Sequence, residues 1–286
     1  MDPKDYKKIE SLERPADIFD LSGRVGVILG GAGKMGQEFA KVLSRAGAAV
    51  VIADLNQDHC EEAARKISGQ AARPVLALAC DVSIEAHVIQ LFDQIEKKYG
   101  RLDFLISNLM SKPEGYYGDF EHYSAETWRK VLDVNLTGTF LCCREAKRLM
   151  EKHGKGSIVI TSSIYGMVGP DPRVYEDCTS NQNLYGGSDP LNLPGVYAAS
   201  KGGLVAFARY LATLWGREGI RVNILTPGGV YDGQEDSFHQ EYANRTPMGR
   251  MAVWSDYNGA ILFLVSDASR YMTGANLVID GGWTAW

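Results

Sequence analysis

In the stretch VYAASKGG a phenol and an ammonium, Tyr197 and Lys201, stand four positions apart at the start of a segment of helical period. On a helix that spacing puts both groups on one face, about one turn apart. An unperturbed phenol has a pKa of about 10, too high for a base at neutral pH, and a nearby ammonium lowers it by favouring phenolate. The pair can then move a proton. Taken alone, YxxxK reads as an exposed Tyr beside a solvated Lys, so its meaning depends on what surrounds it.

A second chemistry-bearing stretch is LGGAGKMG, with Gly30, Gly33, Lys34, Met35 and Gly36 between a strand and a helix. Glycines let backbone approach a pyrophosphate, and the free N–H groups of a helix N-terminus favour its charge. Downstream, VVIADLN ends the next strand on Asp54. A carboxylate there accepts from the adenosine ribose hydroxyls and repels a 2′-phosphate, which favours NAD over NADP. Asp54 also reads as a helix N-cap or turn residue.

These residues need a scaffold. Short β-branched runs at 25–29, 49–53, 75–79, 104–107, 157–161, 221–225 and 276–279 alternate with helical segments such as GQEFAKVLSRAG and GGLVAFARYLATLWGREG. That alternation predicts an α/β fold: a Rossmann-type, doubly wound, seven-stranded parallel sheet with helices on both faces, in a single domain. Residues 1–20 have no place in the alternation and are expected to form an N-terminal arm, leaving 21–286 as the dinucleotide-binding catalytic domain. A Pro-, Gly-, Asn- and Asp-rich segment at about 170–195 interrupts it, and loops of that length are usually functional or disordered.

Composition narrows the function classes. The net charge is −5 with acids and bases interspersed, which argues against a nucleic-acid partner. The charged N-terminus has no apolar stretch of a secretory signal, and no apolar run approaches the ~20 residues of a membrane span, so a cytoplasmic location is expected. Five cysteines without CxxC spacing suit reduced thiols, and five scattered histidines predict no catalytic metal.

YxxxK, together with TSSIYG after a strand, VNLTGTF on the preceding helix and RVNILTPGG after the next strand, resembles the short-chain dehydrogenase/reductase family from about Leu21 to the C-terminus. The resemblance implies that Asn135 holds a water in a proton relay and Ser163 hydrogen-bonds the substrate oxygen. It makes Tyr197 the general acid/base, and Lys201 both lowers the Tyr197 pKa and binds the nicotinamide ribose. It further implies that Asp81 and Val82 flank the adenine, that Asn108 lies by the adenosine ribose, and that Pro227, Gly228 and Val230 belong to a segment touching the nicotinamide. A homotetramer or homodimer is implied, with the C-terminal VIDGGWTAW near a subunit interface.

Three departures from the family pattern are visible. Leu29 replaces a threonine, and Lys34 takes the second glycine's place, where a positive φ would strain it or its ammonium would meet a cofactor phosphate. SNLM at 107–110 is bulkier than the common NNAG. Ser163 and Tyr197 lie 34 positions apart, and the excess is the insertion. Because the insertion leaves beside one suspected active-site residue and returns beside another, Tyr165, Arg173, Tyr175, Glu176 and Asn183 are candidate substrate contacts. Arg173 or Arg250 is suited to a phosphate or carboxylate on a sugar.

SSIYGMVGPDPRVYE, TPMGRM and YMTGANLVIDGGWTAW are similar to the sugar and polyol dehydrogenase branch. The expected activity is an NAD-dependent exchange of a secondary alcohol and a ketone on a small polar substrate: a sugar, sugar acid or polyol derivative. Two readings stand beside it. A ketoacyl, aromatic or steroid alcohol would suit an apolar lid, and a non-catalytic dinucleotide-binding scaffold would explain the altered glycine turn.

Overall fold

The computed structural model describes residues 16–69, 74–175 and 193–286. Seven parallel strands form one sheet: β1 Val25–Leu29, β2 Ala49–Asp54, β3 Leu76–Ala79, β4 Phe104–Ser107, β5 Gly156–Thr161, β6 Ile220–Pro227 and β7 Asn276–Ile279. Their order is β3-β2-β1-β4-β5-β6-β7. Every expected strand is present. The edge strand β3 starts one residue late at Leu76, and β6 runs on to Pro227, which pairs with Ile279 of β7.

The helices are α1 Lys34–Arg45, α2 Gln57–Ser68, α3 Glu85–Tyr99, α4 Ala125–Leu132, α5 Thr139–Met150, α6 Gly195–Trp215, α7 Asp236–Asn244 and α8 Asn258–Val265. Val25, Val27 and Leu29 pack with Leu91 and Phe92 of α3, Leu149 of α5 and Leu204 of α6 in one cluster. Ile28 packs with Phe39 of α1, Ile67 of α2 and Ile261 of α8 in another. Alternate residues of a strand point to opposite faces, so β1 feeds both layers, which makes the sheet doubly wound.

The strand order reverses between β1 and β4, opening a crevice beyond Leu29 and Ser107 where such sheets bind ligands. The expected arm lies outside the described residues up to position 15, and Asp17–Phe19 form a single 3-10 turn. Of the insertion, 176–192 lie outside the described residues, including Glu176, Asn183 and Cys178. The four described cysteines are buried free thiols. Among the described residues no helix is long and apolar enough to cross a membrane.

Candidate functional site

The turn between β1 and α1 is shaped for close backbone approach. Gly30 has φ +69°, and a Cβ there would lie 2.4 Å from the Asn108 carbonyl oxygen. A Cβ on Gly36 would lie 2.4 Å from the Gly30 carbonyl oxygen. Gly33 is the N-cap of α1, so the first N–H groups of the helix have no partner within it.

Lys34 is the first residue of α1, and no non-glycine residue among those described has a positive φ. The strain expected there is absent because Gly30 supplies the left-handed turn. The Lys34 ammonium pairs with Asp232, from the loop after β6. Asp54 ends β2 with one carboxylate oxygen accepting from the Ala32 N–H at 3.1 Å and the other from the Leu55 N–H at 2.8 Å. It is therefore both a turn residue, as its type allowed, and a wall of the crevice. A carboxylate accepts about four hydrogen bonds, so two places remain.

The crevice holds about 840 Å³ and is lined by Gly30, Gly33, Lys34, Met35, Asp54, Asp81, Val82 and Asn108. That is within the range of sites that take ligands of cofactor size. Asp81 is held by Ser83, whose N–H and hydroxyl both donate to it. Val82 is buried against Gly138, and the Asn108 N–H donates to the Leu29 carbonyl at 3.1 Å. The bulkier SNLM is accommodated by burying Leu109 and leaving Met110 exposed. Lys112, Asp232 and Trp254 also line the crevice. No sequence motif marks them, because they arrive from distant segments.

Tyr197 and Lys201 lie in the first two turns of α6, with the Lys201 Nζ 5.9 Å from the centre of the Tyr197 ring. Lys201 is buried, and its ammonium donates to the carbonyls of Thr161, at 2.9 Å, and Leu109, at 3.2 Å. Burial pushes its pKa down to about 8. The ends of β4 and β5 thus hold the ammonium while α6 carries the phenol.

Ser163 follows β5 and accepts the Tyr165 N–H at 3.3 Å, which leaves its hydroxyl hydrogen free to donate elsewhere. Its neighbour Ser162 donates to the Lys201 carbonyl at 2.9 Å, and a Cβ on Gly166 would lie 2.7 Å from the Lys201 carbonyl carbon. These contacts press the serine loop against α6 beside Lys201.

Asn135 is fully buried in the π-helical turn Asp133–Gly138. Its side chain accepts the Ser111 N–H at 3.0 Å and donates to the Ser200 hydroxyl at 3.1 Å. Its side-chain oxygen and nitrogen are thus each fixed by one protein contact, and its main-chain oxygen accepts from the Thr139 hydroxyl at 2.8 Å. Sequence reasoning found Asn135 but not its partner Ser200, which sits between Tyr197 and Lys201.

The surroundings of Tyr197 are aromatic. It packs against two apolar clusters, one that holds Tyr165, Val174, Phe238, Tyr242 and Trp283 and another that holds Tyr116, Val131 and Val196. Burial pushes the phenols of Tyr116, Tyr165, Tyr175 and Tyr242 above their ordinary value, so they stay neutral. Arg173 is exposed with its guanidinium on Asp171, and Arg250 pairs with Asp256. Pro227 ends β6, and Gly228 and Val230 follow it, with Gly228 against Asp280 and Val230 bridged to Ala252.

A parallel sheet in this order, with a glycine turn at its switch point, defines the doubly wound dinucleotide-binding class. The family model for short chain dehydrogenase matches residues 24–175, and that for Enoyl-(Acyl carrier protein) reductase matches 181–284. The chain belongs to the short-chain dehydrogenase/reductase family, oxidoreductases that act on alcohols and bind nicotinamide dinucleotides. Tropinone reductase-like 2 of Erythroxylum coca is 34% identical over 276 residues, covering 92% of this chain and 91% of its own. D-threitol dehydrogenase of Mycolicibacterium smegmatis is 31% identical over 274 residues, covering 93% and 95%. A gluconate 5-dehydrogenase from Burkholderia cenocepacia, solved in complex with NADP and tartrate, is 26% identical with a TM-score of 0.82, covering 96% of this chain and 100% of its own.

Proposed function

We propose that this protein is an NAD(H)-dependent oxidoreductase that interconverts a secondary alcohol and a ketone on a small polar substrate, a sugar, sugar acid or polyol derivative. The observation that carries the reading is the buried Lys201 ammonium, 5.9 Å from the Tyr197 ring and donating to the carbonyl of Leu109, a residue that lines the glycine-turned crevice. The crevice fits a dinucleotide in two respects: its β1–α1 turn is packed so closely that a Cβ on Gly30 or Gly36 would clash with backbone, and Asp54 retains acceptor capacity beside it. Asp54 favours NAD by repelling a 2′-phosphate, and Lys34, engaged with Asp232, is drawn away from opposing that choice.

When bound, the nicotinamide ring supplies or accepts the hydride. The remaining steps fall to this chain. Lys201, held by the Thr161 and Leu109 carbonyls, favours phenolate on Tyr197 and reaches toward the nicotinamide ribose. Tyr197 gives its proton to the substrate oxygen in reduction and takes it back in oxidation, a role typically worth about 10²–10⁴ in rate. Ser163 donates its hydroxyl hydrogen to the same oxygen. Asn135, its side chain fixed by Ser111 and Ser200, is the residue we assign to hold the relay water. The insertion borders the substrate, because its described ends Val174, Tyr175 and Leu193 share one apolar cluster with Tyr197.

That aromatic packing supports a second reading, a cyclic alcohol or ketone whose apolar ring face stacks on tyrosines, in keeping with the tropinone reductase-like relative. We also assign a homotetramer, from the family resemblance. The test titrates the protein with NADH and NADPH, repeats both after Asp54→Ala, and then screens NAD⁺ against polyols and cyclic alcohols. Tight NADH binding that weakens on substitution is expected, with turnover lost in Tyr197→Phe while NADH still binds. Preference for NADPH would overturn the NAD choice, binding of neither would leave a scaffold, and turnover confined to cyclic alcohols would replace the sugar reading with the second.

A further inference from the structure

The segment from Pro227 to Val230 carries two glycines, yet its backbone is held on every side. The Gly228 N–H donates to the Ile279 carbonyl at 2.9 Å, and the Gly228 carbonyl accepts the Tyr257 hydroxyl at 3.2 Å. The Gly229 carbonyl accepts the Ala252 N–H at 3.0 Å. The Gly229 N–H donates to the Tyr242 hydroxyl at 2.6 Å. A Cβ on Gly229 would lie 2.6 Å from the Tyr242 ring, so the phenol fits this backbone only because the residue is glycine.

Tyr242 comes from α7 and is itself fixed from below. Its ring stacks on Trp283 with centroids 4.1 Å apart and planes inclined by 22°. Trp283 belongs to the last 3-10 turn, anchored by the Asp280 carboxylate, which accepts the N–H groups of Gly282 and Thr284, each at 2.9 Å. Asp280 in turn follows β7, the strand that binds Gly228. The C-terminal residues and α7 therefore meet on one backbone amide.

We propose that Tyr242 is a positioning residue for the Pro227–Val230 segment, which the family resemblance sets against the nicotinamide, acting through the Gly229 N–H, and that Trp283 keeps its ring in register. The inference rests on the dinucleotide reading above. A phenol suits this role, because its ring has few rotamers to lose and burial keeps its hydroxyl neutral. Without that hydroxyl the Gly229 N–H loses its acceptor, and the segment relaxes toward a new one. The adenosine side of the crevice, built from Asp54, Asp81 and Asn108, shares none of these contacts.

The experiment compares Tyr242→Phe with the wild-type protein for two ligands: NADH or NADPH, whichever the wild type binds, and ADP-ribose, which ends before the nicotinamide. Dinucleotide affinity is expected to fall about tenfold while ADP-ribose affinity changes less than about twofold. Trp283→Leu, which keeps the hydroxyl and loses the stack, is expected to shift the ratio in the same direction, and it decides the matter if Tyr242→Phe fails to fold. Equal weakening of both ligands, or no change in either, overturns the positioning role. A wild-type protein that binds neither ligand overturns the dinucleotide reading, and the inference with it.

Discussion

Lys201 shows what one residue costs and what it contributes. Its ordinary pKa of 10.5 is pushed down to about 8 by burial, with the Leu109 and Thr161 carbonyls accepting from the ammonium. Between those values the unfolded chain binds more protons at this site than the folded one, so stability rises as pH climbs from about 8. Below pH 8 the full penalty of holding a buried ammonium is present. Lys201→Met removes it, at the expense of two hydrogen bonds that do not depend on pH. The stability difference between variant and wild type, from urea midpoints with matched slopes, is expected to shift in favour of wild type between pH 7 and 9.5. The subtraction cancels the opposing cysteines, whose pKa values burial raises, and Lys112, which shifts the same way as Lys201. Parallel pH curves would mean that Lys201 carries no such penalty.

At the scale of elements, the β1–α1 turn ties conformation to binding. Gly30 needs both its positive φ and its missing Cβ, since a methyl would lie 2.4 Å from backbone that has no room to move. Gly30→Ala is expected to destabilise the fold by about 1–3 kcal/mol and to abolish dinucleotide binding, read by thermal melting and nicotinamide fluorescence. Retained binding would remove the turn from the site. This turn was legible in sequence because its glycines are adjacent, as were the strands, whose β-branched runs record burial on both faces. The Tyr197–Lys201 spacing was legible for the same reason, lying within one helix. Contacts made across the fold were not. Lys34 meets Asp232 from 198 positions away, and the Leu109 and Thr161 carbonyls that hold Lys201 have no sequence signature, because every residue has a carbonyl. The strain expected at Lys34 was misplaced because the sequence shows which glycines are present but not which of them turns left-handed. Arg173 and Arg250 are candidate substrate contacts by type, and the carboxylates they pair with, Asp171 and Asp256, carry no sequence signature.

Among the described residues, α5 and α6 present an apolar stripe to the outside of the molecule. Phe207, Tyr210 and Leu214 recur along one side of α6, and Phe140 of α5 approaches Phe207 with ring centroids 6.4 Å apart. Phe140, Tyr210 and Leu214 are all exposed. Both helices bury their other sides against the sheet, so the outer stripe is the part of the helix layer that a second copy can cover. Pairing about a two-fold axis brings the same residues together from each copy, which makes the contact self-complementary. Light scattering on the eluted protein is therefore expected to give a multiple of the 31.4 kDa chain mass, four copies for the proposed tetramer. Leu214→Glu places a like charge opposite itself across the axis and is expected to shift the mass downward, while each chain keeps its dinucleotide crevice, which lies at the ends of β1 and β4. A wild-type mass of one chain would end the proposal of a tetramer. An unchanged mass in Leu214→Glu would move the interface off α5 and α6 to another face, where the exposed Trp286 beside Arg245 is the next residue to substitute.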